Sequence, residues 1–344
     1  MNPQRRCFIN SMAQVSCQQP LSDEWFDSPR LYEEMYARAV EPDTRGLILP
    51  SEARRMSRIL KRTVCTSITA LNSSAIDHPD AIITGTGMGC MENSEKFLID
   101  LSRFGENCLK PTLFMQSTHN TIGSLIAIIL KCHGYNNTYS HKGISFESAL
   151  LDAWLQIRSG GLRNALVGSH DEVTPFMDLV MESTHPEYSF VSEASVAMIA
   201  IGRDAPDESD ICEIESVRIL HRPDIADLCR MFDTDHDPLL MLGLNGNPHN
   251  DSPYSQLTES IDYAPLLLRY RHIFGDNFSA PALGVYAAAK ILEKGRIPRH
   301  MLANDDDDPI DCRASNQRPQ RITVVNHCDG SNWSIVRLKS VKST

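Results

Sequence analysis

Residues 138–160, TYSHKGISFESALLDAWLQIRSG, set a tight glycine turn between a strand end and a helix, where many α/β enzymes expose a nucleophile. Ser145 stands two residues after Gly143 in G-I-S-F-E, with His141 or Glu147 at hand as the base of a serine acyltransferase. The pattern is close to the hydrolase elbow G-x-S-x-G but lacks its last glycine, the one that permits the sharp turn; Phe146 and Glu147 follow instead. Ser145 therefore fits better as a helix N-cap, with Glu147 in the first turn, where the helix dipole favours a carboxylate. Thiol chemistry has two further candidates, Cys90 directly after Gly89 and Cys328 in the glycine loop near the end of the chain. Cys132 is the cysteine nearest to Gly143 in sequence, but it closes a long apolar helix and fits buried packing.

Other reactive residue types have blander roles. His119 in QSTHN, ahead of an apolar helix, fits a hydrogen-bonded interface histidine better than a catalytic one. DTDHDP at 233–238 and DDDD at 305–308 offer hard ligands without calcium or zinc spacing, so both are expected to be solvated acidic turns and no metal is expected. In TGTGMGC, Cys90 takes the place of the third glycine of a dinucleotide fingerprint, and no cofactor is expected.

The elements that must position these residues alternate between short β-rich runs and amphipathic segments, an α/β pattern. Strands are expected at Phe8–Ile9, Ala81–Thr84, Ala165–Val167, Val196–Ile201, Ile214–Leu220, Leu239–Leu242 and Ile322–Val325, and helices at Glu52–Leu71, Asn120–Lys131, Glu147–Ile157 and Ala282–Glu293. The chain of 344 residues is 42% hydrophobic, enough for one large or two medium domains with a sizeable core. Its longest strongly apolar run, Ile122–Leu130, is about half of what a bilayer crossing needs, so no membrane span is expected. The N-terminal FINSMAQVSCQQP lacks the apolar centre of a secretory signal, and a cytoplasmic location is the default. Ten cysteines without a C-x-x-C pair fit free thiols in a reducing compartment. A net charge of −11, from 33 basic and 44 acidic residues, argues against nucleic acid and anionic membrane surfaces as partners.

A polar, proline-containing run, DAPDESD at 204–210, divides the chain into 1–203 and 211–342, and the two parts repeat a faint order of elements. FINSMAQVS answers to CEIESVRIL, AIITGTGMG to PLLMLGLNGN, STHNTIGSLIAIILK to NFSAPALGVYAAAKIL, and NALVGSHDE to ITVVNHCDG.

This duplicated chain resembles the β-ketoacyl synthase branch of the thiolase-like condensing enzymes. RRMSRILKRTV at 54–64 is similar to the family's arginine-rich early helix, TGTGMG at 84–89 to its first glycine loop, and IRSGGLRNALVGSHDE at 157–172 to its most recognisable stretch. FVSEASVAMIAI at 190–201, NGNPHND at 245–251 and NHCDGSNWSIV at 326–336 resemble its glutamate-containing strand, its G-T-x-x-x-N-D loop and its closing glycine loop and strand. The resemblance implies a five-layer αβαβα sandwich made of two related halves.

Family members use a cysteine at a helix N-terminus, its thiol made acidic by the dipole and a histidine, to take an acyl chain from a carrier. Two histidines then assist decarboxylation and stabilise the enolate. Carried onto this sequence, the cysteine position falls on Gly143, the first histidine on Gly243 and the second on Gly275-Asp276, with His272 and Asn277 nearby. The resemblance thus implies a catalytically silent homologue without catalytic residues, like the chain-length factors that pair with an active ketosynthase and shape an acyl or polyene tunnel. A synthase or acyltransferase with relocated residues, drawn from Ser145, His141, Cys90 and Cys328, is the alternative, as is a homodimeric acyl-binding protein. SHKGISFESALLDA also resembles short synthase-like proteins of aryl polyene and resorcinol pathways. Dimer contacts in the family map to 113–131 and 136–142, which makes Phe114, Met115, Gln116, His119, Asn120 and Phe146 candidates for tunnel or interface. The implied partners are an active ketosynthase in a heterodimer, or a second copy of the chain, and an acyl carrier protein reached through the partner.

Overall fold

A computed structural model describes residues 5–106, 109–174, 176, 177, 179, 190–303 and 318–342. The acidic run at 305–308, Cys108 and Cys312 lie outside the described residues.

Among the described residues ten strands form the main sheet: β1 Arg6–Val15, β2 Ala81–Gly85, β3 Tyr135–Tyr139, β4 Asn164–Asp171 and β5 Ala194–Arg203, then β6 Cys212–His221, β7 Leu239–Leu242, β8 Leu266–Arg269, β9 Arg321–Cys328 and β10 Asn332–Ser340. Hydrogen bonding joins them in the order β8-β7-β9-β10-β6-β1-β5-β4-β2-β3. Each half reads third, second, fourth, fifth, first strand, and in each the fifth strand runs antiparallel to its neighbours while the second pairs in parallel with the third and fourth. The same mixed order twice is the structural form of the internal repeat. Where the halves meet, β1 pairs with β6 at Phe8↔Glu213 and Ile9↔Cys212, and the Arg6 guanidinium holds the Glu213 carboxylate.

Helices fill three layers. Helix α1, Arg58–Asn72, and α4, Thr121–Leu130, cover the outer face of the first half, with Ile59, Leu60, Ile122 and Ile126 packed on Leu166, Ala197 and Ile199. On the far side α6, Pro248–Ser260, packs Tyr254 and Leu257 against Leu240, Val325 and Ile335. Between the sheets lie α5, Ser145–Ser159, and α8, Ala280–Lys294, the latter preceded by the short α7, Arg271–Phe274. Helix α8 is buried at every position from Ala280 to Leu292; its run of alanines removes the bulk that would hold two sheets apart. The central core joins Phe146, Ala149 and Leu150 of α5 to Val167, Met198, Met241 and Val336 of both sheets. This is the five-layer thiolase-like sandwich implied by the motifs. No helix among the described residues is long and apolar enough to cross a membrane.

Two sequence expectations need correction. The single helix at Glu52–Leu71 is a short turn of helix, Pro50–Ala53, followed by α1 from Arg58. In the repeat, the pairing of 117–131 with 277–292 fails, because α4 precedes the third strand of its half whereas α8 follows it. The counterpart of α8 is α5, and that of α4 is α6. Both α4 and α8 are apolar with a glycine one turn in, which is why composition matched them and connectivity does not.

Candidate functional site

The N-terminus of α5 sits where two glycine loops and the closing loop converge. A short 3-10 turn, Lys142–Ile144, feeds the helix, and the strand end at Gly85 lies so close that a β-carbon there would fall 2.6 Å from the Ser145 backbone. Asp171 fastens the first glycine loop: its buried carboxylate accepts from Thr86 Oγ1 at 3.0 Å, the Gly87 N–H at 2.9 Å, the Met88 N–H at 3.1 Å and Ser279 Oγ at 2.7 Å. Burial raises this carboxyl from its ordinary range, and the four donors oppose the rise. On the other side Asp251 fastens the NGNPHND loop, accepting N–H groups of Asn245 at 3.0 Å and Gly246 at 2.9 Å, while Asn250 donates to the Gly243 carbonyl at 3.0 Å.

A cavity of about 500 Å³ opens between these loops, and Gly143, Asp276, His327 and Cys328 all line it. The three positions assigned to catalytic side chains differ in what surrounds them. At Gly143 a β-carbon would meet only Cys328, 3.7 Å from its Cβ and Sγ, so the place is open. At Gly243 the place is taken: a β-carbon would fall 2.6 Å from the Tyr254 hydroxyl and 3.2 Å from the Arg271 guanidinium. At the third position Gly275 presses on Ser192, and Asp276 reaches the cavity as the ion-pair partner of Arg271 at 3.0 Å, also accepting from Asn245 at 2.8 Å. Asn277 lines the cavity as well; His272 does not, and its Nε2 meets the His300 carbonyl at 2.7 Å.

Behind Gly143 a buried polar chain runs from α5 to the second half. Asn326 donates to the Gly143 carbonyl at 2.9 Å and to Glu147 Oε1 at 2.8 Å, and accepts from Arg271 at 3.1 Å. Ser334 donates to the same Glu147 oxygen at 2.7 Å, and Glu147 Oε2 has no partner among the described residues. Burial pushes the Glu147 carboxyl up to about 7. Sequence reasoning placed Glu147 as a dipole-favoured first-turn residue; its enclosure by Asn326 and Ser334 comes from residues almost two hundred positions away.

The fallback nucleophiles are held in other work. The Ser145 hydroxyl is fully buried between the Thr86 carbonyl at 3.0 Å and the Lys142 carbonyl at 2.7 Å, and it accepts the His141 N–H at 2.8 Å. It is the first residue of the helix rather than its N-cap, and what meets it from His141 is backbone, since the ring lies 3.4 Å from Ser148. Cys90 is fully buried at the start of α2, Met91–Phe104, and its thiol is raised by burial. Cys328 is half-buried, raised by burial, and its closest polar side-chain contact is Asp329. The neighbouring imidazole, His327, is engaged elsewhere, donating from Nε2 to the Asn250 carbonyl at 2.8 Å and accepting the Gly330 N–H at 3.1 Å; burial brings it down to about 4.

Of the tunnel or interface candidates, Phe114 and Met115 are 59% and 72% exposed on α3, Pro111–Met115; His119 and Asn120 are exposed after it, and Gln116 is half-buried. Phe146 points into the central core and reaches no surface. No group of His, Cys, Asp and Glu among the described residues is arranged to hold a metal; in DTDHDP, His236 meets Asp233 at the surface, whereas Asp237 is fully buried on Arg337 and Thr323.

Residues 24–201 match the family model described as the β-ketoacyl synthase N-terminal domain. No curated protein matches by sequence. Among solved structures, the chain is similar to the ketosynthase complex AntDE:AntF, a type II polyketide acyl-carrier protein with its ketosynthase bound to the hexaketide (TM-score 0.76, 11% identity, 98% of this chain and 99% of that one). It is equally similar to the ishigamide ketosynthase/chain length factor (0.75, 16%, 98% and 99%) and to a β-ketoacyl synthase from Burkholderia phymatum (0.75, 13%, 98% and 100%). At such identities the likeness is one of fold.

Proposed function

The chain belongs to the β-ketoacyl synthase family, and from that premise we propose that it is a catalytically silent, chain-length-factor-like subunit of fatty acid, polyene or polyketide-type biosynthesis. It pairs in the cytoplasm with an active ketosynthase, meets acyl carrier protein through that partner, and contributes wall residues to a shared tunnel. The division into halves at 1–203 and 211–342 is part of the same proposal. The observation that carries it is the state of the three catalytic positions: an open glycine at 143, a filled glycine at 243 and an ion-paired Asp276. A family scaffold that keeps its loops while leaving no thiol–imidazole hydrogen bond among the described residues can shape a cavity without holding substrate covalently. Partnering is supported by the apolar surface on α3 and α4, where Ile128 is 73% exposed, and by β3, which ends the sheet with its outer edge unpaired among the described residues.

One observation favours a second reading. The Cys328 thiol lies 3.7 Å from the place of a β-carbon on Gly143, so a relocated nucleophile would start from there. Co-expression with a ketosynthase carrying an intact cysteine and two histidines tests the partnership. A stable mixed dimer is expected; a clean homodimer beside an unpaired ketosynthase would favour the acyl-binding alternative instead.

A further inference from the structure

The cavity beside Gly143 has a charge balance that suits a ligand of particular chemistry. Met88, Met91, Phe176, Met177 and Phe278 give it an apolar wall, and its volume of about 500 Å³ is in the range of small-molecule sites. Its charged lining consists of Asp171, Glu172, Asp276, Asp329 and Arg271. Arg271 pairs with Asp276 and donates to Asn326, although its Nε has no hydrogen-bond partner among the described residues, and the Asp171 oxygens are taken up by the first glycine loop and Ser279. Glu172 is different. It is 2% exposed, its Oε1 accepts the Glu92 N–H at 2.9 Å, and its other oxygen has no partner among the described residues although the side chain lines the cavity. Arg62, the cation whose field reaches Glu172, is shared by Glu41 and Glu193. Lys142 acts on Cys328 but does not line the cavity, and exposed Asp329 has no ion-pair partner among the described residues. A carboxylate at the wall of an apolar-lined space gains from a donor there, and like-signed neighbours make a positive donor the better one.

We propose that this cavity binds an organic cation with an apolar chain, its ammonium head on Glu172 and its chain against the methionine and phenylalanine wall. The proposal rests on Gly143 being a vacated position, because a family nucleophile and its acyl group would compete for the same space. It also makes the cavity a poor host for the carboxylate of an anionic extender unit. Burial pushes the Glu172 carboxyl up to about 7, so at pH 8 it is ionised while an ordinary imidazole is neutral.

The test is calorimetric titration of the full chain at pH 8 with octylamine, octanol and octanoate, three ligands that share a chain and differ in head group. Octylamine is expected to bind at least about tenfold more tightly than octanoate, with octanol between them. Glu172→Gln, which keeps an oxygen for the Glu92 N–H, should abolish that preference in a chain that still unfolds in one cooperative transition, and Asp329→Asn should reduce it by about two- to threefold. Octanoate binding as tightly as octylamine, a preference that survives Glu172→Gln, or no saturable binding of any of the three would overturn it. A chain that selects octylamine yet becomes acylated would refute silence and leave the cation site standing; a silent chain indifferent to head group would do the reverse.

Discussion

Gly143 and Gly243 stand at the proposed positions of two family catalytic residues, and a side chain would meet opposite fates at each. The space at 143 is open, so Gly143→Ala should change stability by no more than about 0.5 kcal/mol. Gly243→His must displace the Tyr254 hydroxyl and the Arg271 guanidinium and should cost about 1–3 kcal/mol, read from urea midpoints. Putting back the family's cysteine should not restore a free thiol. A β-carbon at 143 would lie 3.7 Å from that of Cys328, within the separation a disulfide needs, so Gly143→Cys should form a 143–328 bond under mild oxidation. Intact mass before and after reduction checks it, and Cys328→Ser should abolish it; a persistently free thiol at 143 would show that the two positions are further apart than described.

At the scale of elements, the outer strand β3 and helix α4 present the face on which a partner is expected. Ile128 is exposed, so Ile128→Glu should leave the isolated chain within about 0.5 kcal/mol of its original stability and weaken the mixed dimer by about tenfold or more, measured by size-exclusion chromatography across a dilution series. Much of this architecture was legible in the chain. The run Leu239–Leu242 is a strand with the same ends in the structure, and the other expected strands fall inside longer ones because periodicity marks a buried centre better than its polar ends. Strand β3, YNNTY, lacked an apolar pattern because it lies at the sheet edge with half its surface in solvent. The candidate site was legible in its glycine loops and illegible where the fold fills a gap from a distance. Nothing near position 243 announces that Tyr254 and Arg271 will occupy its side-chain space, nor does anything near 172 announce an unpartnered oxygen.

For the molecule as a whole, the two halves are joined less by the short β1–β6 pairing than by the central helices and the polar chain that links Glu147 to Asn326, Ser334 and, through Asn326, Arg271. Glu147 gives that junction a pH signature. Its folded value of about 7 lies above the ordinary 4.5, so the fold favours the neutral acid and loses stability as pH rises through that interval. Glu147→Gln keeps an oxygen for Asn326 and Ser334 without titrating. Between pH 4.5 and pH 8 the balance should therefore shift toward the variant by on the order of 1–3 kcal/mol. His170, His272 and His327, brought down by burial to about 3, about 4 and about 4, act in the opposite direction in both proteins, and the comparison cancels them. The proposed lack of a working nucleophile is tested most directly by the intact mass of this chain after the mixed dimer has been incubated with an acyl carrier thioester. The acyl group is expected on the partner's cysteine, with this chain's mass unchanged. An acyl adduct on this chain, mapped to Cys328, Cys90 or Ser145, would contradict it.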